Sequence, residues 1–220
     1  MTITFAADGS SWQGLIDWPA VKAAGYGAGT EKVTQGLGYL NPCWPAGRAS
    51  LRAAAGPEFV PGAYHYLTAG DGAGQADFFA SSAGAIPGFV IWCDLERAPA
   101  GAQPTVADAH AFVSRLRLHY PSKRIGVYAS ASFTGTAPLA FADLLWTPHY
   151  VEGDGTPAEL YKEVPADWWA PVGGLHPVLL QFSADAEVPG VKGLADISAY
   201  RGTAAQMHAA LLGLTPGRCD

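Results

Sequence analysis

Short apolar runs alternate along the chain with segments whose apolar residues recur at helical spacing. Residues 3–7 read as a strand that ends at Asp8. Asp17-Trp18-Pro19 opens a short helix, with Asp17 as its cap and Gly25 as its stop. Residues 26–33 predict a second strand, weakened by Gly27 and Gly29. An Ala-rich helix over 48–55 stops at Gly56, and residues 59–66 form a third strand. A helix over 75–83 and a fourth strand over 89–94 follow. The clearest helix spans 105–120. Thr105 caps it, Asp108 lies three residues on, and Ala109, Phe112, Val113, Leu116 and Tyr120 fall on one face.

After a fifth strand at 125–128 the rhythm changes. Residues 144–151, 178–182 and 194–197 read as three strands with little helix between them, and a helix over 203–212 closes the chain. The Pro-containing stretch 153–171 predicts a loop over one rim. Five strand–helix units followed by three strands predict an α/β fold, an incomplete TIM-like barrel, as one domain over residues 1–220.

Composition narrows the function classes. Hydrophobic residues make up 49% and charged residues 15%, a globular balance. The net charge of −6 and the lack of any basic run exclude a nucleic-acid partner. No apolar stretch approaches the roughly 20 residues that span a bilayer, so membrane insertion is not expected. The opening Met1-Thr2-Ile3-Thr4-Phe5 lacks a basic region followed by an apolar core, which predicts no secretory signal and synthesis in the cytoplasm. Cys43, Cys93 and Cys219 are odd in number and widely spaced, so they predict neither a disulfide framework nor a metal-ligand pair. Cys93 sits in an apolar run and reads as a small core residue, and Cys219 as exposed.

Barrel enzymes place their chemistry at the C-terminal ends of the strands. Those ends hold Asp8, Lys32 with Gln35, residues 64–66, Asp94 with Glu96, Tyr128, residues 146–150, Gln181 and Asp196. Acids, amides and aromatics in this mixture suit sugar hydroxyls and ring faces better than phosphate or a metal. The sharpest element is Ile91-Trp92-Cys93-Asp94-Leu95-Glu96. Strand alternation puts Trp92, Asp94 and Glu96 on one face and Ile91, Cys93 and Leu95 on the other. Two neighbouring carboxyls raise each other's cost of ionising, which keeps one protonated as a general acid requires. The same residues also fit a solvated loop, with an acid paired to Arg97. The residues alone leave both readings open.

A family resemblance adds to this. Asp8-Gly9-Ser10-Ser11-Trp12-Gln13-Gly14 with Ile16-Asp17-Trp18 resembles the opening of glycoside hydrolase family 25, the Chalaropsis-type lysozymes. Lys32-Val33-Thr34-Gln35-Gly36 with Gly38-Tyr39 and Asn41-Pro42 resembles its second-strand motif, and Gly62-Ala63-Tyr64-His65-Tyr66 its third. Asp94-Leu95-Glu96 resembles its acid pair. Gly126-Val127-Tyr128, Leu145-Trp146 and Gln181-Phe182 with Val188-Pro189-Gly190 and Asp196 resemble its later strands. Gln35 stands where the family usually carries Glu, and Leu180 where an aromatic commonly precedes the Gln.

The resemblance implies cleavage of the β-1,4 bond between N-acetylmuramic acid and N-acetylglucosamine. It makes Glu96 the general acid and Asp94, Asp8 and Asp196 the other acids of the site. Tyr64, Tyr128, Trp146 and Gln181 become sugar contacts. Lys32, with Gln35 beside it, reads equally as a lumen ion-pair partner or as a substrate contact. His65, adjacent to Tyr64, should face outward and be structural, while Asp185 and Glu187 read as loop acids. No metal or organic cofactor is required. The expected partner is bacterial peptidoglycan, met by a monomer. A chain without a signal would reach the wall after release, as in phage lysis, or act extracellularly. Two rivals remain at this point: a wall-binding module that does not cut, and a chitinase-like barrel glycosidase. Trp92, where the latter's signature usually has an acid, weighs against the second.

Overall fold

The computed structural model describes residues 2–214, and Cys219 lies outside them. Seven parallel strands run in chain order around a barrel: β1 (Ile3–Gly9), β2 (Ala28–Gln35), β4 (Val60–Tyr66), β5 (Val90–Asp94), β6 (Ile125–Tyr128), β7 (Leu144–Pro148) and β8 (Pro177–Glu187). An eighth, β9 (Leu194–Arg201), is antiparallel to both β8 and β1 and closes the ring. A two-residue strand, β3 (Tyr39–Leu40), folds back on the end of β2 as a hairpin. The architecture is the mixed eight-stranded barrel that the strand pattern predicts.

Helices α1 (Trp18–Ala23), α2 (Trp44–Ala54), α3 (Gly72–Ala83) and α4 (Val106–His119) follow the first four barrel strands. Their starts carry the expected chemistry. The Asp17 carboxylate accepts from the Ala20 amide at 3.1 Å. Thr105 and Asp108 form a reciprocal box, with bonds of 3.1 and 2.8 Å. Outward-facing strand residues such as Ile91, Cys93 and Leu95 pack with Phe79, Phe112 and Leu116 from α3 and α4 in the main core. Inside the barrel a second apolar cluster fills the lumen, with Val60, Val90, Trp92, Leu144 and Leu179. The final helix α7 (Ala204–Leu212) sets Met207 and Leu211 against this cluster and plugs the end opposite the strand C-termini.

Several boundaries differ from the sequence reading. Helix α2 begins at Trp44 rather than residue 48, because Pro45 is tolerated in a first helical turn. Helix α3 begins at Gly72, capped by Asp71. The fifth unit's helix, α5 (Ala131–Thr134), is one turn long. The stretch 153–171 is not plain loop: α6 (Pro157–Leu160) and two 3₁₀ turns, Tyr161–Glu163 and Ala166–Trp169, lie in it. Strand β7 stops at Pro148. Strands β8 and β9 extend beyond the barrel wall as a paired ribbon, so Asp185 and Glu187 are strand residues and not loop acids.

Strand β2 looked weak because of its glycines, and the packing explains them. A Cβ on Gly29 would lie 2.3 Å from the Trp18 ring. The absent side chain makes room for a fully buried indole. Next to it, Glu31 is buried, and its Oε1 accepts from Trp18 Nε1 at 2.6 Å. The other oxygen, Oε2, has no partner and faces Gly47 of α2, where a Cβ would come within 1.7 Å. Burial raises this carboxyl from 4.5 to about 7, opposed by the Trp18 bond.

Candidate active site

The C-terminal ends of the strands converge on one open cavity of about 120 Å³. Its walls carry Asp8 from β1, Asp94 and Glu96 from the end of β5, and Asp196 from β9. Tyr64, Trp92, Tyr128, Trp146 and Gln181 complete them, together with Tyr150 beyond β7. Four carboxyls thus reach one space from three strands. The antiparallel pairing sets Asp8 directly opposite Asp196, and the parallel pairing sets Asp94 beside Tyr128 and Tyr66. Alternation along β5 sends Trp92, Asp94 and Glu96 inward, as its sequence predicts, and leaves Cys93 in the outer core.

The aromatic floor is interlocked. Trp146 packs edge-on against both Trp92 and Tyr128, with ring centres 5.3 and 5.1 Å apart. Its indole nitrogen donates to Ser198 Oγ at 2.9 Å. Above the floor, Gln181 Nε2 donates to Asp8 Oδ1 at 2.9 Å. The oxygen of the same amide accepts from Tyr128 at 2.7 Å and Tyr150 at 2.5 Å.

Crowding and burial disfavour ionisation throughout the cluster. Burial, then the Asp196 charge and more weakly Glu96, hold the Asp8 carboxyl well above the usual range, against the Gln181 bond. Burial and then Glu96 raise Asp94, opposed by Lys32. Burial raises Glu96 too, and Lys32 and a Tyr66 hydrogen bond oppose it. Asp196 rises from 3.8 to about 6, through burial and then Glu96 and Asp185. Four such groups titrate as a coupled set, each more reluctant to ionise than a carboxyl in water. One oxygen of Asp94, Oδ1, is buried without a protein partner.

Lys32 and Gln35 stand beside the cavity and do not line it. Lys32 Nζ donates to Gln35 Oε1 at 3.1 Å and sits over the Tyr66 ring, 4.6 Å from its centre. It makes no ion pair with Asp94 or Glu96 within 4.0 Å, although both charges act on it. His65 turns outward from the barrel, buried between Thr34 and Gln75, with bonds of 2.8 and 3.0 Å. Tyr150 falls in the strand-end stretch 146–150 of the sequence reading, which gives it no role of its own. It lies two residues beyond the end of β7 at Pro148 and reaches the cavity from there. Among the described residues no group of three or more His, Cys, Asp or Glu could hold a metal ion. Among the described residues no helix is long and apolar enough to cross a membrane.

Comparison with known proteins agrees with this geometry. Residues 7–190 match the family described as glycosyl hydrolases family 25. Lysozyme M1 of Streptomyces globisporus is 28% identical over 222 aligned positions, covering 92% of this chain and 69% of that protein. The crystal structure of a bacterial lysozyme from Streptomyces coelicolor superposes with a TM-score of 0.76 at 26% identity, covering 96% of this chain and 98% of the other. A family GH25 lysozyme from Aspergillus fumigatus shares the fold, with a TM-score of 0.72 at 22% identity over 96% of this chain and 100% of its own.

Proposed function

The chain belongs to glycosyl hydrolases family 25, and from that premise we propose that its acid-lined cavity is the site at which it cuts peptidoglycan, with Glu96 as general acid. The protein is a glycoside hydrolase of the lysozyme type, a peptidoglycan hydrolase. The bond cleaved is the β-1,4 link between N-acetylmuramic acid and N-acetylglucosamine. The observation that carries the site assignment is the convergence of Asp8, Asp94, Glu96 and Asp196 on one cavity floored by Trp92, Tyr128 and Trp146. Aromatic faces suit sugar rings, and a crowded acid cluster supplies a carboxyl that is still protonated at working pH.

Glu96 is the less buried of the two acids from β5, which suits it to meet a glycosidic oxygen at the cavity mouth. As the bond breaks, its proton passes to the leaving sugar's oxygen. Asp94, on the same face of the strand, approaches from the same side, so a nucleophile must come from elsewhere. The substrate's own 2-acetamido group supplies it: the carbonyl oxygen attacks the anomeric carbon and gives a cyclic oxazolinium ion. The unpartnered Oδ1 of Asp94 is free to accept from the acetamido N–H and to steady its developing charge. Glu96, now ionised, takes a proton from the water that opens the ring. Asp8 and Asp196 hold negative charge and hydrogen bonds around the reacting sugar, and Tyr64, Tyr128, Trp146 and Gln181 contact it. Lys32 favours the charged forms of Asp94 and Glu96 through space.

All four acids come from one barrel, which supports a monomer whose single catalytic domain spans residues 1–220. It acts at the bacterial cell wall. The net charge of −6 argues against nucleic acid as a partner. Mass spectrometry of digested peptidoglycan tests the assignment. The expected fragments end in a reducing N-acetylmuramic acid. Reducing N-acetylglucosamine ends, or no fragments, overturn it.

A further inference from the structure

Nine large apolar side chains are exposed among the described residues, and Leu118 and Leu214 lie on or after helices α4 and α7. Five of the other seven belong to two neighbouring segments, the loop after β1 and the hairpin that joins β2 to β3. Trp12, four residues past Asp8, is 92% exposed, and Tyr39 faces it from the hairpin. The two segments are tied together where Ser11 Oγ and the Tyr39 hydroxyl meet at 2.9 Å. An indole held almost wholly in water on an ordered loop makes no contribution to the core. Exposed apolar surface concentrated at one rim marks a binding face.

We propose that the Trp12–Tyr39 rim is a subsite for the uncleaved sugars of the glycan strand that continue past the catalytic cavity. This rests on the muramidase reading above. The rim is continuous with the cavity: its first segment follows directly on Asp8 and Gly9 at the end of β1, and its hairpin starts at Gln35, bonded to Lys32, whose ammonium covers Tyr66 beside Glu96. A polymer whose cut bond lies in the cavity must cross the rim on its way out. Residues 10–15 and 36–40 contain no charged side chain. That fits the neutral faces and hydroxyl edges of sugar rings and does not fit the charged stem peptides of the wall. Leu37 and Leu40 extend the apolar surface, while Ser11 and the Tyr39 hydroxyl offer polar edges of the kind sugar hydroxyls require.

The test compares two substrates: long glycan strands freed of stem peptides, and the shortest soluble muropeptide that the wild-type protein cleaves. For each, kcat/KM is measured for the wild type, Trp12→Ala, Trp12→Phe and Tyr39→Ala. Trp12→Ala is expected to lower the ratio of long-strand to short-fragment cleavage about tenfold, the scale of one aromatic contact. Trp12→Phe should restore most of that ratio, and Tyr39→Ala should lower it in the same direction. A loss that is equal on both substrates, or no loss on either, overturns the subsite. If the wild type cuts neither the long strands nor a soluble muropeptide of any length, the muramidase reading itself falls and takes the subsite with it.

Discussion

Gln181 Nε2 donates to Asp8 Oδ1 at 2.9 Å while two tyrosine hydroxyls hold the other end of the same amide. The amide oxygen accepts from both hydroxyls, which leaves its NH₂ to donate to the acceptor oxygen of Asp8. That bond favours the ionised carboxylate, against burial and the Asp196 charge. Gln181→Leu removes the donor, so the Asp8 pKa rises further and ionisation demands a higher pH. The acid limb of the kcat/KM profile is expected to move to higher pH, with Tyr150→Phe producing a smaller shift in the same direction. Profiles that superpose on the wild type would show that Asp8 does not depend on this clamp.

Glu96→Gln keeps the size and hydrogen bonding of the side chain but cannot deliver a proton. Wall-clearing rates are expected to fall by about two orders of magnitude or more. Thermal stability should not drop, because the substitution removes a carboxyl whose charge burial disfavours. Clearing at near wild-type speed would exclude Glu96 as the acid.

Asp94→Asn separates the two possible routes. With the acetamido group as nucleophile, losing the Asp94 charge slows the reaction strongly. The anomeric carbon is inverted twice, and no glycosyl-enzyme adduct forms. NMR of the first-formed reducing end in the wild type should therefore show retained configuration. An inverted first product would point instead to Asp8 or Asp196 directing water in a single step.

Glu31 gives the fold a pH dependence unrelated to catalysis. Its carboxyl titrates near 7 when folded and near 4.5 when unfolded. Between those values the folded chain binds more protons, so this contribution is full below 4.5 and is lost as pH rises through 7. The loss amounts to about 3 kcal/mol at most. Glu31→Gln should raise the melting temperature at pH 8 and change it little at pH 4. Equal effects at both pH values would contradict the burial argument.

Gly47 is the close-packed partner of that carboxyl. Alanine in a helix is ordinarily favoured over glycine by about 1 kcal/mol. Here its Cβ would press on Glu31 Oε2 at 1.7 Å. Gly47→Ala should therefore destabilise the protein by about 1–3 kcal/mol, as denaturant unfolding would register. In the Glu31→Ala background the same change should become neutral or stabilising.

The chain's own pattern determined the number and order of the barrel strands, the cap at Thr105, and the inward phase of Trp92, Asp94 and Glu96. These follow from period-2 and period-3.6 repetition, which local residues carry by themselves. Strand-end positions and the family resemblance together pointed to Asp8, Asp196, Tyr64, Tyr128, Trp146 and Gln181, and the fold brings all of them to one cavity. It left Lys32 and Gln35 just outside, because their side chains bond to each other beside Tyr66. Only the tertiary structure revealed Tyr150 over Gln181, the β8–β9 ribbon that runs past the barrel, and the buried Glu31 carboxyl facing Gly47. Each depends on residues separated along the chain meeting across strands or between sheet and helix. No local repeat records such a meeting, because closure of the ring through β1 and β9 determines which side chains share a space.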